Sequence, residues 1–389
     1  MRTTMATENN NKTLNVPNLR FPEFSGEWER SSLGVVFCKV ENGLTYDPNN
    51  SEGLPVTRIE TISDRSINYK RVGYAKDDGK LSKYKMEPGD ILFSHINSLK
   101  HIGKTAYYDG EHPLYHGMNL LLLRTTNEES ARFLFYQLNT SRFLHRCQVL
   151  ANQAVNQASI NTRELKGITL HKPSIKEQIK IADFISLLDN RIATQIKIIE
   201  KLESLIKGLC SSLFDKNKYD SFVRLGDISE ITNGNSDVQD ASLSYSDGMY
   251  PFFDRSEDIK FLPEYLLDKE AIIYPGEGSE FYPRYYNGKF ALHQRCYAIY
   301  DIAPNFATRY LYFFCKTQNS YFVRNAVGST VASLRLDTFK RLNIPNIPIK
   351  LQKTYVQLLD KIERKIVDNK TVLKKYEEQK RYLLSKMFI

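Results

Sequence analysis

A long amphipathic stretch near the middle of the chain constrains the fold more than any other sequence feature. From Ile175 to Phe214, apolar residues recur at steps of three or four, which places them along one side of an α-helix. A helix of this length spans about 60 Å, more than one domain needs for its own core. So long an apolar stripe predicts a second helix as its packing partner.

The chain itself contains that partner. Sliding Ile175 onto Ile349, a shift of 174 positions (349 − 175), superimposes the stretch on Ile349–Phe388 without a gap, and Gln178 falls on Gln352. Unbroken register with a shared hydrophobic period indicates an internal repeat. The residues predicted to pack the two helices together are Ile181, Leu188, Ile192, Ile199, Leu202, Leu209, Leu358, Ile362, Ile366, Leu373 and Leu383.

The segments between the helices repeat as well. Each half places Leu-Gly before a short apolar run and then Asn-Gly, at Asn42-Gly43 and Asn233-Gly234. Apolar bursts separated by Gly, Asp, Asn and Pro predict short strands. These bursts lie at 91–93, 105–108 and 120–123 in the first half and at 271–274, 284–286 and 296–300 in the second, and a helical segment follows from Ala131 and from Thr308.

This plan predicts a mixed α+β protein, with two α/β globules in pseudo-repeat, each followed by a long helix. The predicted segments are a flexible leader at 1–15, a first globule at 16–160, a central helical region at 161–215, a second globule at 216–333 and a C-terminal helical region at 334–389. The two helical regions match in register while the globules differ in length and loop chemistry. We therefore expect the helices to share one role and the globules to have two different ones.

Composition narrows the possible partners and the compartment. Lys and Arg outnumber Asp and Glu by 54 to 45, giving a net charge of +9, which favours a polyanionic partner. The five cysteines are widely spaced and include no CxxC pair, as expected in a reducing cytosol. The polar N-terminus and the absence of any run of about eighteen apolar residues predict a cytoplasmic protein without membrane segments.

A search for catalytic motifs predicts neither a catalytic nor a metal site. His112 and His116 are four residues apart, but Pro113 places them in a turn rather than on one helix face. The Tyr274–Gly278 segment contains glycines without a complete phosphate-binding pattern, and Asn346–Ile349 lacks the paired prolines and the aromatic residue of an amino-methyltransferase motif. These absences favour a binding or scaffolding role.

Basic and amide side chains in the globules predict contacts with nucleic acid. Lysines and arginines interleaved with tyrosines suit phosphate neutralisation, and Arg, Asn and Gln in loops suit base edges. The predicted DNA-binding residues of the first globule are Lys70, Arg71, Lys83, Lys85, Ser94, His95, Asn97, Ser98, Lys100 and Lys104. Those of the second are Arg284, Tyr285, Tyr286, Lys289, His293, Gln294, Arg295, Ser329 and Thr330.

From about Val16 to its end, the chain resembles the specificity subunits of Type I restriction-modification enzymes. The resemblance rests on the opening VPNLRFPEFSGEWERSSLG, the segment GDILFSHINSLKHIGK, the joints EQIKIADFISLLDNRI and IKLQKTYVQLLDKIERKI, and the terminus RYLLSKMFI. No single motif is diagnostic, but their order, twice over, is specific. One departure is Leu351 in the second joint, where the first joint has Glu177.

The resemblance implies two target-recognition domains, each reading one half of a split site in double-stranded DNA, joined by two long antiparallel helices. It implies that the chain is not catalytic and holds no cofactor. Two methylation subunits would dock on the helices and bring S-adenosylmethionine, and endonuclease/translocase subunits would supply chemistry that needs ATP and Mg. The helices would then set the spacer between the half-sites.

Two alternatives remain open from the sequence. The first is the specificity subunit of a related restriction system in which methylation and cleavage share one partner polypeptide. The second, from a different class, is a coiled-coil scaffold whose globules bind protein rather than DNA. A salt-dependent shift with duplex DNA would separate the scaffold from both DNA-binding readings.

Overall fold

A computed structural model describes residues 15–63, 65–77, 79–154 and 157–389. The predicted leader at 1–15 lies outside the described residues except for Asn15. The chain forms two compact units: unit 1 extends to Thr194 and resumes from Leu373 to the end, and unit 2 comprises Gln195–Val372. The units therefore divide within the two long helices.

Unit 1 is built from short strands, short helices and the first part of a long one. Its strands are β1 (Glu29–Ser32), β2 (Phe37–Asn42), β3 (Leu54–Val56), β4 (Ile62–Ser63), β5 (Ser66–Ile67), β6 (Gly73–Ala75), β7 (Ile91–Phe93), β8 (Ile96–Asn97), β9 (Thr105–Tyr107), β10 (Leu121–Thr125), β11 (Asn152–Ala154), β12 (Gln157–Ser159) and β13 (Thr169–Lys172). Its helices are α1 (Leu33–Val36), α2 (Ala131–Leu138), α3 (Ser141–Leu150), α4 (Thr162–Gly167) and the start of α5 (Ile175–Leu213).

The main sheet of unit 1 has four strands in the order β2-β10-β7-β9, all paired antiparallel. One face packs on a core that includes Trp28, Phe93, Phe133 and Leu134, and this core continues onto the long helices. The other face covers a smaller cluster around Leu92. Burial on both faces explains why the strand predicted near 120–123 is an uninterrupted apolar run rather than an alternating one.

Unit 2 repeats this plan with longer strands. Its strands are β14 (Phe222–Arg224), β15 (Glu230–Asn233), β16 (Tyr250–Phe253), β17 (Lys260–Leu262), β18 (Leu267–Pro275), β19 (Arg284–Leu292), β20 (Cys296–Tyr300) and β21 (Asn343–Pro345). Its helices are α6 (Leu225–Ile228), α7 (Thr308–Lys316), α8 (Asn319–Asn325), α9 (Leu336–Lys340) and the start of α10 (Ile349–Lys386).

The unit 2 sheet has six strands in the order β15-β20-β18-β19-β16-β17, and only the β16–β19 pair is parallel. A core that includes Tyr274, Tyr310, Phe314 and Phe339 lies between this sheet and the long helices. Each predicted strand overlaps one observed strand, with Tyr108 and Leu120 lying one residue outside, and the predicted helical segments begin with α2 and α7. Mixed helix and sheet content with two long helices confirms the predicted fold class.

Within each unit, the two long helices pack antiparallel. In unit 1, Ile181 and Leu188 of α5 share a core with Leu383 of α10, and Lys380 forms an ion pair with Asp189. In unit 2, the C-terminal part of α5 lies against the N-terminal part of α10. The Gln195 side chain there donates to Asn369. None of the helices in the described part of the chain combines the length and apolarity needed to span a bilayer.

Most of the predicted helix-packing residues are removed from solvent. The buried ones are Ile181, Leu188, Ile199, Ile362, Ile366 and Leu383, and the half-buried ones are Ile192, Leu202, Leu209 and Leu373. Leu358 is instead 44% exposed, while the adjacent Leu359 is fully buried in the unit 2 core. The structure therefore places Leu359, and not Leu358, inside the helix pair.

A buried glutamine fixes each globule to its long helix. The Gln178 carbonyl accepts from the backbone N–H of Ser130, the residue that caps α2, and its amide donates to the carbonyl of Pro173. In unit 2, Gln352 makes the same bonds to Ala307, at the start of α7, and to Ile347. Both glutamines are the fourth residue of their helix, so one repeated residue positions two different globules.

The N-terminal segment packs on unit 1. The Arg20 guanidinium donates to both carboxylate oxygens of Glu177 at 2.8 Å, and the Trp28 indole N–H lies 3.4 Å from the same carboxylate. Phe21 stacks edge-on against Phe184, and the Trp28 ring contacts Phe388 near the chain end. The aromatic residues between prolines thus anchor an extended segment to both long helices.

Candidate nucleic-acid interface

One end of the main sheet of unit 1 gathers polar loops. Leu121 pairs with both Asn42 and Phe93, and Phe93 also pairs with Thr105, so the loops next to these four residues meet at one end of the sheet. At the opposite end, β10 leads into α2, which Gln178 holds against α5. The polar loops therefore lie at the sheet end directed away from this attachment.

The predicted DNA-binding residues of unit 1 differ in exposure. The exposed ones are Lys70, Arg71, Lys83, Lys85, Ser98, Lys100 and Lys104; Asn97 is half-buried. Arg71, Asn97 and Lys104 share a cavity of about 320 Å³ with Glu60 and His101, which the sequence reasoning did not select. Partial burial, with Lys104 and Lys100 next in effect, lowers the pKa of His101.

Ser94 and His95 are buried, at 2% and 6% exposure, rather than presented to solvent. Ser94 accepts a hydrogen bond from Asn97, and the Nε2 atom of His95 lies 3.2 Å from the side-chain nitrogen of Asn42. Burial, with a smaller effect of nearby His116, lowers the pKa of His95 to about 4, so the imidazole is neutral at pH 7. His95 supports the loop in this conformation and does not reach its surface, whereas Ser94 lines the cavity of about 320 Å³.

The corresponding end of the unit 2 sheet encloses a larger cavity, of about 490 Å³. Its lining includes the predicted residues His293, Gln294 and Arg295. It also includes acidic and basic residues that the sequence reasoning did not assign to DNA binding: Asp237, Asp254, Arg255, Lys260 and Glu277. They come from three segments, at Asp237, at 254–260 and at Glu277, whose separation in the sequence gave little signal that they share one site.

Carboxylates hold the polar groups of this cavity in place. Burial alone would raise the pKa of Asp254, but hydrogen bonds from Lys260 and Ser256 outweigh it and lower the pKa. Glu277 accepts two hydrogen bonds from the Arg295 guanidinium at 2.9 and 3.0 Å. The cavity wall therefore contains two salt bridges, Lys260–Asp254 and Arg295–Glu277.

The other predicted residues of unit 2 have different surroundings. Lys289, Ser329 and Thr330 are exposed, whereas Arg284, Tyr285 and Tyr286 are half-buried. The Tyr285 hydroxyl donates to Glu270 while Arg309 covers its ring, on the side of α7. The Tyr285 side chain therefore faces α7 and not the loops that line the cavity.

Arg284 and Tyr286 both lie against the buried Phe253. Tyr286 packs on Phe253 and Phe290, and the Arg284 guanidinium donates to the backbone carbonyls of Asp254 and Ser256. Among the described residues, the second terminal nitrogen of Arg284 is buried without a hydrogen-bond partner. Arg284 thus supports the cavity wall from behind.

No group of three or more His, Cys, Asp or Glu in the described part of the chain is placed to hold a metal ion.

Comparison with known proteins assigns the chain to a family. Residues 25–204 and 218–377 each match the sequence model of the Type I restriction modification DNA specificity domain. The chain is 40% identical over 228 residues to the putative type I restriction enzyme MjaX specificity subunit of Methanocaldococcus jannaschii, an alignment covering 56% of this chain and 54% of the relative. It is 24% identical over 195 residues to the StySPI specificity subunit of Salmonella potsdam, covering 49% and 42%. The chain thus spans about half the length of these curated relatives.

Solved structures show the same fold at low identity. The S subunit of a Type-I restriction-modification system from M. genitalium superimposes with a TM-score of 0.66 at 16% identity, covering 96% of this chain and 99% of that one. A chain from a study of complex assembly in the type I R-M system gives a TM-score of 0.53 at 14% identity, covering 93% and 97%. With two matched segments that together span most of its length, the chain belongs to the Type I restriction modification DNA specificity domain family.

Proposed function

We propose that this chain is the non-catalytic DNA-recognition subunit of a Type I restriction-modification complex. Each unit contacts one half of a bipartite site in double-stranded DNA. The observation that carries the proposal is that each unit gathers exposed cationic and amide side chains at one end of its sheet, from Arg71 and Lys104 in unit 1 to Gln294 and Arg295 in unit 2. Cations of this kind neutralise phosphates, and amide and guanidinium groups read base edges.

In this proposal, the paired helices set the spacer between the half-sites and dock two methylation subunits. Large apolar side chains on the helices support a docking role, because they remain exposed in the isolated chain: Ile179 at 47%, Leu187 at 62%, Leu205 at 49%, Val367 at 58% and Tyr382 at 58%. Contiguous exposed apolar surface is typical of protein interfaces, and in this proposal these side chains contribute to such a surface.

The chemistry belongs to the partners in this scheme. The methylation subunits hold S-adenosylmethionine, and endonuclease/translocase subunits use ATP and Mg, while this chain holds no cofactor. The complex works in the cytoplasm, where the DNA is. The family match to a DNA specificity domain supports this division of labour.

Co-expression with its methylation subunit tests the proposal. Sequencing of modified bases across the host genome should find methylated adenines in both halves of one bipartite sequence. The methylation subunit expressed alone is the control and should give no such pattern. A purified complex of both subunits that methylates nothing, and binds duplexes without sequence preference, would overturn the proposal.

A further inference from the structure

An exposed two-residue turn precedes β10 at the loop end of unit 1. It consists of Met118, which is 42% exposed, and Asn119, which is also exposed. The Asn42 side chain donates to the Met118 carbonyl at 2.7 Å, and the Met118 N–H donates to the carbonyl of Leu44 at 3.0 Å. A Cβ at Gly43 would overlap the carbonyl oxygen of His116, so glycine is required for this close approach. The Asn42-Gly43 pair therefore fixes the turn.

Unit 2 builds the same turn from different residues. Gln294 and Arg295 precede β20, and both are exposed. The Asn233 side chain lies 3.3 Å from the Gln294 carbonyl oxygen and donates to it, while the Gln294 N–H donates to Ser236 at 3.0 Å. A Cβ at Gly234 would overlap the carbonyl oxygen of Leu292. The second Asn-Gly pair thus performs the same task as the first.

Strand register establishes the correspondence between the two turns. Asn42 pairs with Leu121, three positions after Met118, and Asn233 pairs with Tyr297, three positions after Gln294. Met118 therefore corresponds to Gln294, and Asn119 to Arg295. The Asn-Gly pair that holds the turn is identical in the two units, and the backbone acceptor is Leu44 in unit 1 and Ser236 in unit 2. The residues that the turn presents are different.

We infer that Met118–Asn119 and Gln294–Arg295 are equivalent specificity-determining pairs, one for each half-site; the inference rests on the proposed function. Two domains that recognise different half-sites need different exposed side chains, and the same Asn-Gly pair can hold both turns in place. The side-chain chemistry predicts the preference: the Asn119 amide suits adenine, and the Arg295 guanidinium suits guanine. Met118 offers an apolar contact to a thymine methyl group, where Gln294 offers an amide suited to adenine.

Contacts in each unit link the turn to the rest of the candidate interface. In unit 2, Arg295 is held by Glu277, and the Gln294 amide lies 3.2 Å from a carboxylate oxygen of Asp237. Both turn residues line the unit 2 cavity. In unit 1, Asn42 donates to the Met118 carbonyl and lies 3.2 Å from the buried His95, in the loop that follows β7. Each turn thus lies at the same end of its sheet as the predicted DNA-binding residues.

A transplant of the unit 2 pair into unit 1 tests the inference. The double variant M118Q/N119R, in the full chain with its methylation subunit, is compared with N127R. Asn127 is an exposed residue in the turn that follows the other end of β10, so it controls for added charge. We expect M118Q/N119R to change one or two bases of one half-site, with the preference shifting by about tenfold or more, as one good base contact provides. The other half-site, the spacer and the N127R map should be unchanged.

The outcomes separate the inference from the proposed function. An unchanged methylation map for M118Q/N119R would overturn the inference and leave the proposed function standing. A wild-type complex without sequence preference would overturn both. If M118Q/N119R abolishes methylation and N127R does not, the methylation map of the reciprocal variant Q294M/R295N tests the inference instead. A change confined to the other half-site supports the inference, and an unchanged map, a change in both halves or a loss of all methylation overturns it.

Discussion

Gln178 and Gln352 show at the scale of single residues how one polar group can attach a domain. Each amide is buried, at 1% and 0% exposure, and each links the backbone before its own helix to the start of a short helix in the globule. Their equivalence was visible in the sequence as an identity under the repeat. Their partners were not, because Ser130 and Ala307 are distant in sequence and have different side chains.

Alanine at either glutamine should destabilise the protein. The substitution leaves a buried N–H and a buried carbonyl unpaired, at a cost of about 1–3 kcal/mol for each unsatisfied group. Chemical denaturation of Q178A and Q352A measures the loss. Q357A, at an exposed glutamine of α10, is the matched control and should change stability by less than about 0.5 kcal/mol. Equal effects of all three variants would contradict the attachment role.

Lys83 and Lys85 are expected to contact phosphates rather than bases. Both are exposed, and the Lys83 ammonium lies 4.8 Å from the ring centre of Tyr84. K83A/K85A should weaken binding to all duplexes alike and reduce the slope of log K against log salt by about 2, one for each phosphate that is no longer neutralised. Titrations at several salt concentrations measure this, with K197A/K201A on α5 as the control. Lost sequence preference with an unchanged slope would argue against phosphate contacts.

His95 should make stability depend on pH. Its pKa is about 4 in the folded protein because of burial, against about 6.5 in the unfolded chain, so the unfolded state binds more protons between these values. The contribution of His95 to the free energy of unfolding is therefore fully present above about pH 6.5. It falls as the pH drops towards 4, by about 3 kcal/mol in total. Burial lowers the pKa of His116 as well, with the same sign. Unfolding of H95Q across this range should show a shallower pH dependence than wild type, and an unchanged pH dependence would contradict this role of His95.

At the scale of elements, the sequence predicted the long helices almost to the residue, because forty positions of amphipathic pattern outweigh local ambiguity. Ambiguity remained where two apolar residues are adjacent, as in Phe184-Ile185 and Leu358-Leu359, since steps of three and four allow either to face the partner. In both helices the second residue of the pair is fully buried and the first is exposed. Phe184 instead stacks on Phe21 of the N-terminal segment.

Substitution of the two adjacent leucines should reveal this asymmetry. L359A removes a side chain from the unit 2 core and should cost about 2–5 kcal/mol. L358A shortens a side chain that is 44% exposed and should cost less than about 1 kcal/mol. Thermal or denaturant unfolding of the two variants checks the difference, and equal losses would mean that the helix seam follows the other register.

The globules were less predictable than the helices. Short strands such as Ile91–Phe93 and Cys296–Tyr300 followed from apolar bursts, but the way in which loops share a cavity depends on strand pairing across long separations. For this reason Glu60 was missed beside Arg71, and Glu277 beside Arg295. The sequence also does not reveal whether a polar loop residue is exposed, as the buried Ser94 and His95 show.

At the scale of the whole molecule, one departure between the repeats has a structural reason. Glu177 is buried because it binds Arg20 and Trp28 of the N-terminal segment, whereas Leu351, at the same position of the second helix, is 38% exposed. The two repeats therefore share one fold, and unit 1 adds the contact between its long helix and the N-terminal segment. The long helices keep their register because both units use both of them.

Lengthening both helices together tests the proposed spacer role. Four helical residues inserted after Thr194 in α5, with four more after Val372 in α10, add about 6 Å to each helix while preserving their antiparallel match. At about 3.4 Å per base pair, the spacer should lengthen by about two base pairs, with both half-sites unchanged. Sequencing of methylated adenines in cells that express the variant with its methylation subunit measures this. The same four residues inserted in the exposed turn at Asn127 are the control and should leave the spacer as it is. Altered half-sites with a constant spacer would show that the helices do not set the distance.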